Sequence, residues 1–195
     1  MKKTKNNNQT LMKMKSYAQA NNVPIICDEG LSFLLKAIKE YHVKSILEIG
    51  SAIGYSALAM SLEETVVDSF ERDLERYNLA KNFLKEENVD VNLIFHDALT
   101  YHGDLKKYDL IFIDAAKAQY QKFFNKFEAY LNPKGIIICD NLNFHNLKKD
   151  EVSRGTRQLL QKIENFKLFL KENQKYDTTF FDVGDGMSIS KRKEL

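Results

Sequence analysis

The chain has 195 residues, 44% of them hydrophobic, and a formal net charge of +2. That length suits one compact domain with a sheet covered on both faces, and no apolar stretch approaches the roughly 20 residues that a membrane span needs. Two cysteines, Cys27 and Cys139, exclude a disulfide framework, and the four histidines show no zinc spacing.

Residues 1–20 read as a basic stub followed by a weakly amphipathic helix, and residues 21–195 as a single domain. The start is basic but lacks the apolar core of a signal peptide, so a cytoplasmic location is expected. A helix is expected over 28–41, then a strand at 45–49 (SILEI) and a glycine-bearing turn leading into a helix over 55–61. Strands at 66–70, 91–95, 109–113 and 135–139 follow, with helices over 73–87, 118–131 and 151–171. Short β-branched runs alternating with longer amphipathic stretches mark βαβ units and a parallel sheet. The last twenty residues break that alternation, since 178–183 and 187–191 flank Gly184-Asp185-Gly186 and read as a hairpin. The expectation is an α/β, Rossmann-like chain with a seven-stranded, mostly parallel sheet, a C-terminal antiparallel hairpin and helices on both faces.

Charge is unevenly spread. Residues 1–15 carry Lys2, Lys3, Lys5, Lys13 and Lys15 with no acid, and 148–175 holds eight Lys/Arg against four Asp/Glu. Such clusters track phosphates in nucleic-acid binders, and equally occur as solvated faces of lysine-rich proteins.

In an open α/β sheet the carboxyl ends of the strands face the ligand crevice. Asp114 ends one apolar run, LIFIDAAK, and Asp140-Asn141 end another, GIIICDN. Two carboxylates and an amide oxygen suit Mg²⁺ or Mn²⁺ and poorly suit zinc, although Asp-Asn alone is a common turn pair. The turn from Gly50 to Gly54 lets the backbone approach a ligand, but it has Ala52 where a full dinucleotide fingerprint has glycine. Glu71, ending the next strand, is placed to accept from ribose hydroxyls, or is simply an acid at a helix start. Asp97-Ala98 falls where an adenine edge would lie. Lys117, three residues past Asp114, is either a surface lysine or a base reaching toward a metal-bound hydroxyl.

Taken together, ILEIGSAIGYSALA, FERD, YDLIFIDAAKAQYQKFF, GIIICDN and VGDGMSISKRK resemble the metal-dependent, catechol-type O-methyltransferases that use S-adenosylmethionine. Within that family the likeness, including the early NNVPI, points to bacterial members that methylate 5-hydroxyuridine of tRNA. It spans roughly residues 17 to 193. The resemblance implies a metal on Asp114, Asp140 and Asn141, and cofactor contacts from Ile26, Ser56, Glu71, Asp97, Ala98 and Asp114. It also implies a pocket shaped by Glu48, Gly50 and Gly54, with Lys117 as general base alongside Asp114. A homodimer acting on tRNA at the wobble uridine, free of membranes, is the corresponding expectation. A small catechol or phenol is the alternative substrate. A non-catalytic RNA- or nucleotide-binding protein is the alternative of another class, and a dehydrogenase is disfavoured by the terminal hairpin. The N-terminus and the 142–156 loop look shorter than the family's.

Overall fold

The computed structural model describes residues 3–143 and 153–194. The chain begins with α1 (Lys3–Asn21) and α2 (Asp28–Glu40), followed by β1 (Ser45–Ile49), α3 (Tyr55–Ser61), β2 (Val66–Glu71), α4 (Leu74–Leu84) and β3 (Val91–Phe95). It continues through β4 (Tyr108–Ile113), α5 (Tyr120–Phe127), β5 (Leu131–Cys139), α6 (Arg154–Glu172), β6 (Tyr176–Phe181) and β7 (Met187–Arg192). The seven strands form one sheet in the order β3-β2-β1-β4-β5-β7-β6. The first five are mutually parallel, and β7 lies antiparallel between β5 and β6. This is the fold expected from the sequence.

Successive side chains of a strand face opposite sides of the sheet, and the core divides accordingly. Ile46, Leu110, Phe112, Ile136 and Ile138 face one layer, where they meet Met14, Leu34, Ile38 and Leu58 from the first three helices. Leu47, Ile49, Ile111, Ile113 and Ile137 face the other, against Phe124, Phe127, Phe166 and Leu170 from α5 and α6. Burial on both faces explains why these strands read as continuous apolar runs. Glu48, two residues after Ile46 in β1, therefore projects into the α1–α3 layer and is fully buried.

Several elements differ in their bounds from the sequence expectation, β6 for instance running Tyr176–Phe181 rather than 178–183. The helix expected over 118–131 is only Tyr120–Phe127, flanked by 3-10 turns at Lys117–Gln119 and Glu128–Tyr130. Only Tyr120, Phe123, Phe124 and Phe127 present a buried helical stripe, and β5 already begins at Leu131. The strand accommodates Pro133 by a register shift between the Tyr108 and Leu110 pairings, leaving Pro133 and Lys134 exposed. The helix expected from residue 73 uses Asp73 instead as its N-cap, the side chain accepting from Arg76 N at 2.9 Å.

The N-terminal helix docks on the same layer as α2 and α3. Met14 and Ala18 are buried, Tyr17 meets Phe83 edge-on at 5.8 Å, and Thr10 donates to Glu87 at 2.6 Å. Lys15 is committed within the chain, pairing with Asp28 at the start of α2. Side chains of Lys2, Lys3 and Lys5, and most of the 142–156 loop, lie outside the described residues. Among the described residues no helix is long and apolar enough to cross a membrane.

A polar lock ties β2 to the segment entering β4. Asp68 accepts from Tyr108 Oη at 2.7 Å, Asn92 Nδ2 at 2.9 Å and Lys106 Nζ at 3.0 Å. Burial alone would push this carboxyl up; the three donors outweigh it and hold it below the usual range. Tyr108→Phe leaves the buried carboxylate short of one donor and should cost about 1–3 kcal/mol. A urea titration at neutral pH checks this through a lowered midpoint at unchanged m.

Candidate active site

The strand order reverses at β1, whose neighbours are β2 and β4, and a crevice opens at the carboxyl ends of the strands there. Its floor depends on Gly50, which has φ +104°; a Cβ built there would sit 2.1 Å from the Asp114 carbonyl oxygen. The amides of Gly50 and Ser51 both donate to Phe70 O at 3.0 Å, stitching the turn to β2. Glu71 completes the stitching. Its Oε2 accepts from Ala52 N at 2.8 Å, while Oε1 accepts from Arg72 N at 2.9 Å and Asp73 N at 2.8 Å. Ala52 sits at φ +46°, and the bond to Glu71 holds it there.

The resulting cavity has a volume of about 540 Å³, within the range of small-molecule sites. Of the residues singled out from sequence, Ile26, Gly50, Ser56, Glu71, Asp97, Ala98, Asp114, Lys117 and Asn141 line it. Glu48, Gly54 and Asp140 do not form its wall. Gly54 turns the chain into α3 at φ +84°, close against Ala80 of α4. Asp140 is 2% exposed and sits behind Asn141. Glu48 lies beneath the turn, accepting from Ser56 Oγ at 2.5 Å and from Ser69 Oγ.

Several wall residues carried no role in the sequence reading. Ser51 Oγ is buried without a hydrogen-bond partner among the described residues, so a bound ligand would supply one. Arg72 pairs with Asp97 at 3.3 Å across the outer end, and Phe70 and Phe123 give the cavity apolar wall. Asp185, at the tip of the β6–β7 turn, also lines it. Leu142 N and Asn143 N donate to Gly186 O and Asp185 O at 2.9 and 2.7 Å, fixing that tip beside the end of β5. Its only sequence signal was a charge between two glycines.

Asp114, Asp140 and Asn141 are brought together. The Asn141 amide group donates to Asp114 Oδ1 at 3.1 Å, and its backbone N–H to Asp140 Oδ1 at 2.6 Å, with the residue at φ +60°. Tyr120 Oη anchors the same strand end by donating to Asp140 O at 3.0 Å. Both carboxyls are pushed up. For Asp114 burial leads, opposed by Lys117 and reinforced by Glu48 and Asp185. For Asp140 burial leads, with the charges of Asp114 and then Asp185 adding to it. Among the described residues no three or more His, Cys, Asp or Glu side chains stand close enough to share a metal. The available donor set is thus two carboxylates plus the Asn141 amide, with that amide turned to present its oxygen. Hard oxygen donors under mutual repulsion suit a small divalent cation.

Comparison with known proteins shows the family and the fold. Residues 3–193 match the family model described as O-methyltransferase. Tapetum-specific methyltransferase 1 of Arabidopsis thaliana is 29% identical over 192 residues, covering 92% of this chain and 82% of that protein. A caffeoyl-CoA O-methyltransferase of Populus kitakamiensis is 25% identical over 193 residues, covering 91% and 82%. A Staphylococcus aureus crystal structure, of a candidate caffeoyl-CoA O-methyltransferase, superposes with TM-score 0.87 at 34% identity, over 94% of this chain and 92% of that one. An O-methyltransferase from Bacillus cereus, crystallised with SAH, shares the fold at TM-score 0.80 and 22% identity, over 95% and 91% of the two chains.

Burial pushes the Glu48 carboxyl up to about 7, against the two serine hydroxyls that favour its anion and with the charge of Glu71 adding to the rise. The folded value exceeds the unfolded one. Between the ordinary carboxyl range and about 7 the folded state therefore holds the extra proton, and stability falls as pH rises through that window. Glu48→Gln keeps the shape and removes the titration. Its pH dependence of thermal stability should be flatter than wild type across this window, with a higher melting temperature on the alkaline side. Parallel slopes for the two proteins would contradict the assignment.

Proposed function

The chain belongs to the O-methyltransferase family, and from that premise we propose that it methylates the 5-hydroxyl of 5-hydroxyuridine in tRNA, at the wobble position. The methyl donor is S-adenosylmethionine and the product 5-methoxyuridine. The observation that carries this reading is one cavity with two ends. Glu71 and Asp97-Ala98 stand at one, and Asp114, Asn141 and Lys117 at the other, with Asp140 directly behind. The Bacillus cereus O-methyltransferase crystallised with SAH, the demethylated form of the donor, supports S-adenosylmethionine as the cofactor in the shared fold.

Glu71 has spent three acceptor positions on backbone amides, and a carboxylate offers about four, leaving Oε2 able to accept from a ribose hydroxyl. Ile26, Phe70, Ala98 and Phe123 exclude water around the nucleoside. A divalent ion such as Mg²⁺ or Mn²⁺, held by Asp114, Asp140 and Asn141, would supply orientation of two vicinal substrate oxygens and a lowered hydroxyl pKa. Lys117, half-buried on the turn directly after Asp114, would receive the hydroxyl proton as the neutral amine, the form that a divalent cation beside it favours. The oxygen takes the methyl carbon as the carbon–sulfur bond breaks, leaving a neutral thioether.

The 5-hydroxyl and O4 carbonyl of 5-hydroxyuridine form a vicinal oxygen pair, as a catechol does. The tRNA reading is supported by the early NNVPI likeness and by the first turn of α6. That helix packs against the Lys117 turn and carries exposed Arg154 and Arg157 at its start. A second reading, methylation of a small catechol, is favoured by the names of the relatives, which include caffeoyl-CoA and flavonoid methyltransferases. Membership of an enzyme family sets aside a non-catalytic nucleotide-binding role and a dehydrogenase.

Incubation of the protein with S-adenosylmethionine, a divalent cation and tRNA bearing 5-hydroxyuridine should yield 5-methoxyuridine by nucleoside mass spectrometry. Efficient turnover of a catechol with tRNA untouched would replace the RNA reading with the small-molecule one. Asp140→Ala should abolish transfer to either substrate while S-adenosylhomocysteine binds within about threefold of wild type, because this side chain is behind the metal end and away from Glu71. Titration calorimetry with Mg²⁺ should show divalent binding lost in the variant; full activity in chelator-treated buffer would sink the metal assignment.

A further inference from the structure

The loop that closes the outer end of the cavity leaves the sheet at an edge. Among the described residues β3 pairs only with β2, at the edge of the sheet, and no further strand flanks the chain beyond it. Residues 97–101 make a local turn, with Thr100 N donating to Asp97 O at 3.0 Å and Leu99 N to Asp97 Oδ1 at 2.9 Å. These bonds shape the turn but fix it to nothing else. Two carbonyls on its inner side, Leu99 O and Tyr101 O, point to one place, where Lys126 Nζ donates to them at 2.8 and 2.7 Å.

We propose that Lys126 is a positioning residue for the methyl donor. From the last turn of α5 it holds the 97–101 loop, and with it Asp97 and Ala98, where they meet the adenosyl end of the cofactor. This rests on the reading that the cavity takes S-adenosylmethionine.

Three further features favour it. Lys126 lies one turn beyond Phe123, which itself lines the cavity, so the anchor stands on an element already built into the wall. Tyr101 packs edge-on against the cavity residue Phe70 at 5.0 Å, and Phe70 meets Phe127 at 6.0 Å. The loop is thus gripped by an aromatic contact on one side and an ammonium on the other. Lys126 is also half-buried, and burial lowers its pKa against the supporting charge of Asp97. A lysine whose only task was solubility would extend into water rather than bury its head under a loop. The same helix anchors the opposite end of the cavity at its start, through Tyr120 Oη on Asp140 O.

The test compares wild type with Lys126→Met, which keeps the apolar stem, and Lys126→Arg, which keeps a cationic donor. S-adenosylhomocysteine affinity is measured by calorimetry, alongside steady-state kinetics and thermal melting. Lys126→Met should bind S-adenosylhomocysteine about tenfold more weakly and raise KM for S-adenosylmethionine similarly, with kcat at saturation within about twofold of wild type. Lys126→Arg should recover most of the affinity. Hydrogen exchange should show amides 97–101 opening faster in the Met variant while the strands keep their protection. Unchanged affinity in Lys126→Met, a fall in kcat at constant KM, or an Arg variant no better than Met would each overturn the proposal. A loss of affinity that only tracks a collapsed melting temperature would do the same. Failure of wild type to bind S-adenosylhomocysteine overturns the cofactor reading itself, and is distinct from wild type and variant binding equally well.

Discussion

The carbonyl oxygen of Asp114 occupies the space where a side chain at position 50 would begin. Strand ends β1 and β4 approach that closely only because residue 50 is glycine in a left-handed conformation. From that contact the crevice takes its form. The close approach sets the Asp114 carboxylate at the same mouth as the Gly50–Gly54 turn. The turn, no longer supported by its own strand, takes its hydrogen bonds from Phe70 O and the Glu71 carboxylate. One acid thereby fixes two loops, and its residual acceptor capacity is what remains for a ligand. Glu71 is shown as an anchor of the backbone, and acceptance from a cofactor hydroxyl is the further role proposed for its remaining lone pair.

Charge is the second constraint. Glu48 and Asp185 bear on Asp114, and Asp114 and Asp185 bear on Asp140, across the end of the sheet, and Lys117 is the cation that opposes the rise of both central carboxyls. Such a site is costly to keep empty of cations. The proposed reaction brings two: the sulfonium of the methyl donor and a divalent ion. The fold restrains the acids with neutral contacts. Serine hydroxyls hold Glu48, the Asn141 backbone N–H holds Asp140, and the Asn141 amide group holds Asp114. None of these neutralises the charge, which leaves that role to Lys117 and to ligands.

Much of this was legible in the sequence, for a physical reason. Parallel strands buried on both faces write themselves as continuous apolar runs, and the acids that interrupt or end those runs are conspicuous. Glu48 inside SILEI and Asp114 at the end of YDLIFI are such cases. What could not be read depends on contacts between distant segments. The Gly184-Asp185-Gly186 turn is recognisable as a hairpin connection, but nothing local says that Asn143 N would draw the Asp185 carbonyl to the crevice. Lys126 looks like any lysine on the polar side of a short amphipathic helix until the 97–101 carbonyls are seen above it. The length of α5 was overestimated because 3-10 turns carry the same residue types as the helix they flank, and only the buried stripe from Tyr120 to Phe127 separates them. The placement of Glu48 and Asp140 behind the wall was likewise hidden, since a strand-end acid reads the same whether it faces the cavity or the layer beneath.

The choice between RNA and a small phenol turns on what surrounds the chemistry more than on the chemistry. A vicinal oxygen pair satisfies the same carboxylates and the same lysine in either substrate. A polyanion differs by having to approach a mouth lined with acids, which repels phosphates unless positive charge stands beside it. Lys15 contributes little to that, because Asp28 already holds it. The cations to weigh are Arg154 and Arg157, exposed on the first turn of α6, a helix that packs against the Lys117 turn. Phosphates meeting them would lie outside the acidic crevice while a base reached inward, an arrangement that keeps the two opposing fields apart. A free catechol makes no use of that rim. Within the crevice Arg72, Arg76 and Lys117 already stand among the acids, so the proposed nucleic-acid substrate would meet mixed charge there and the α6 arginines beyond it.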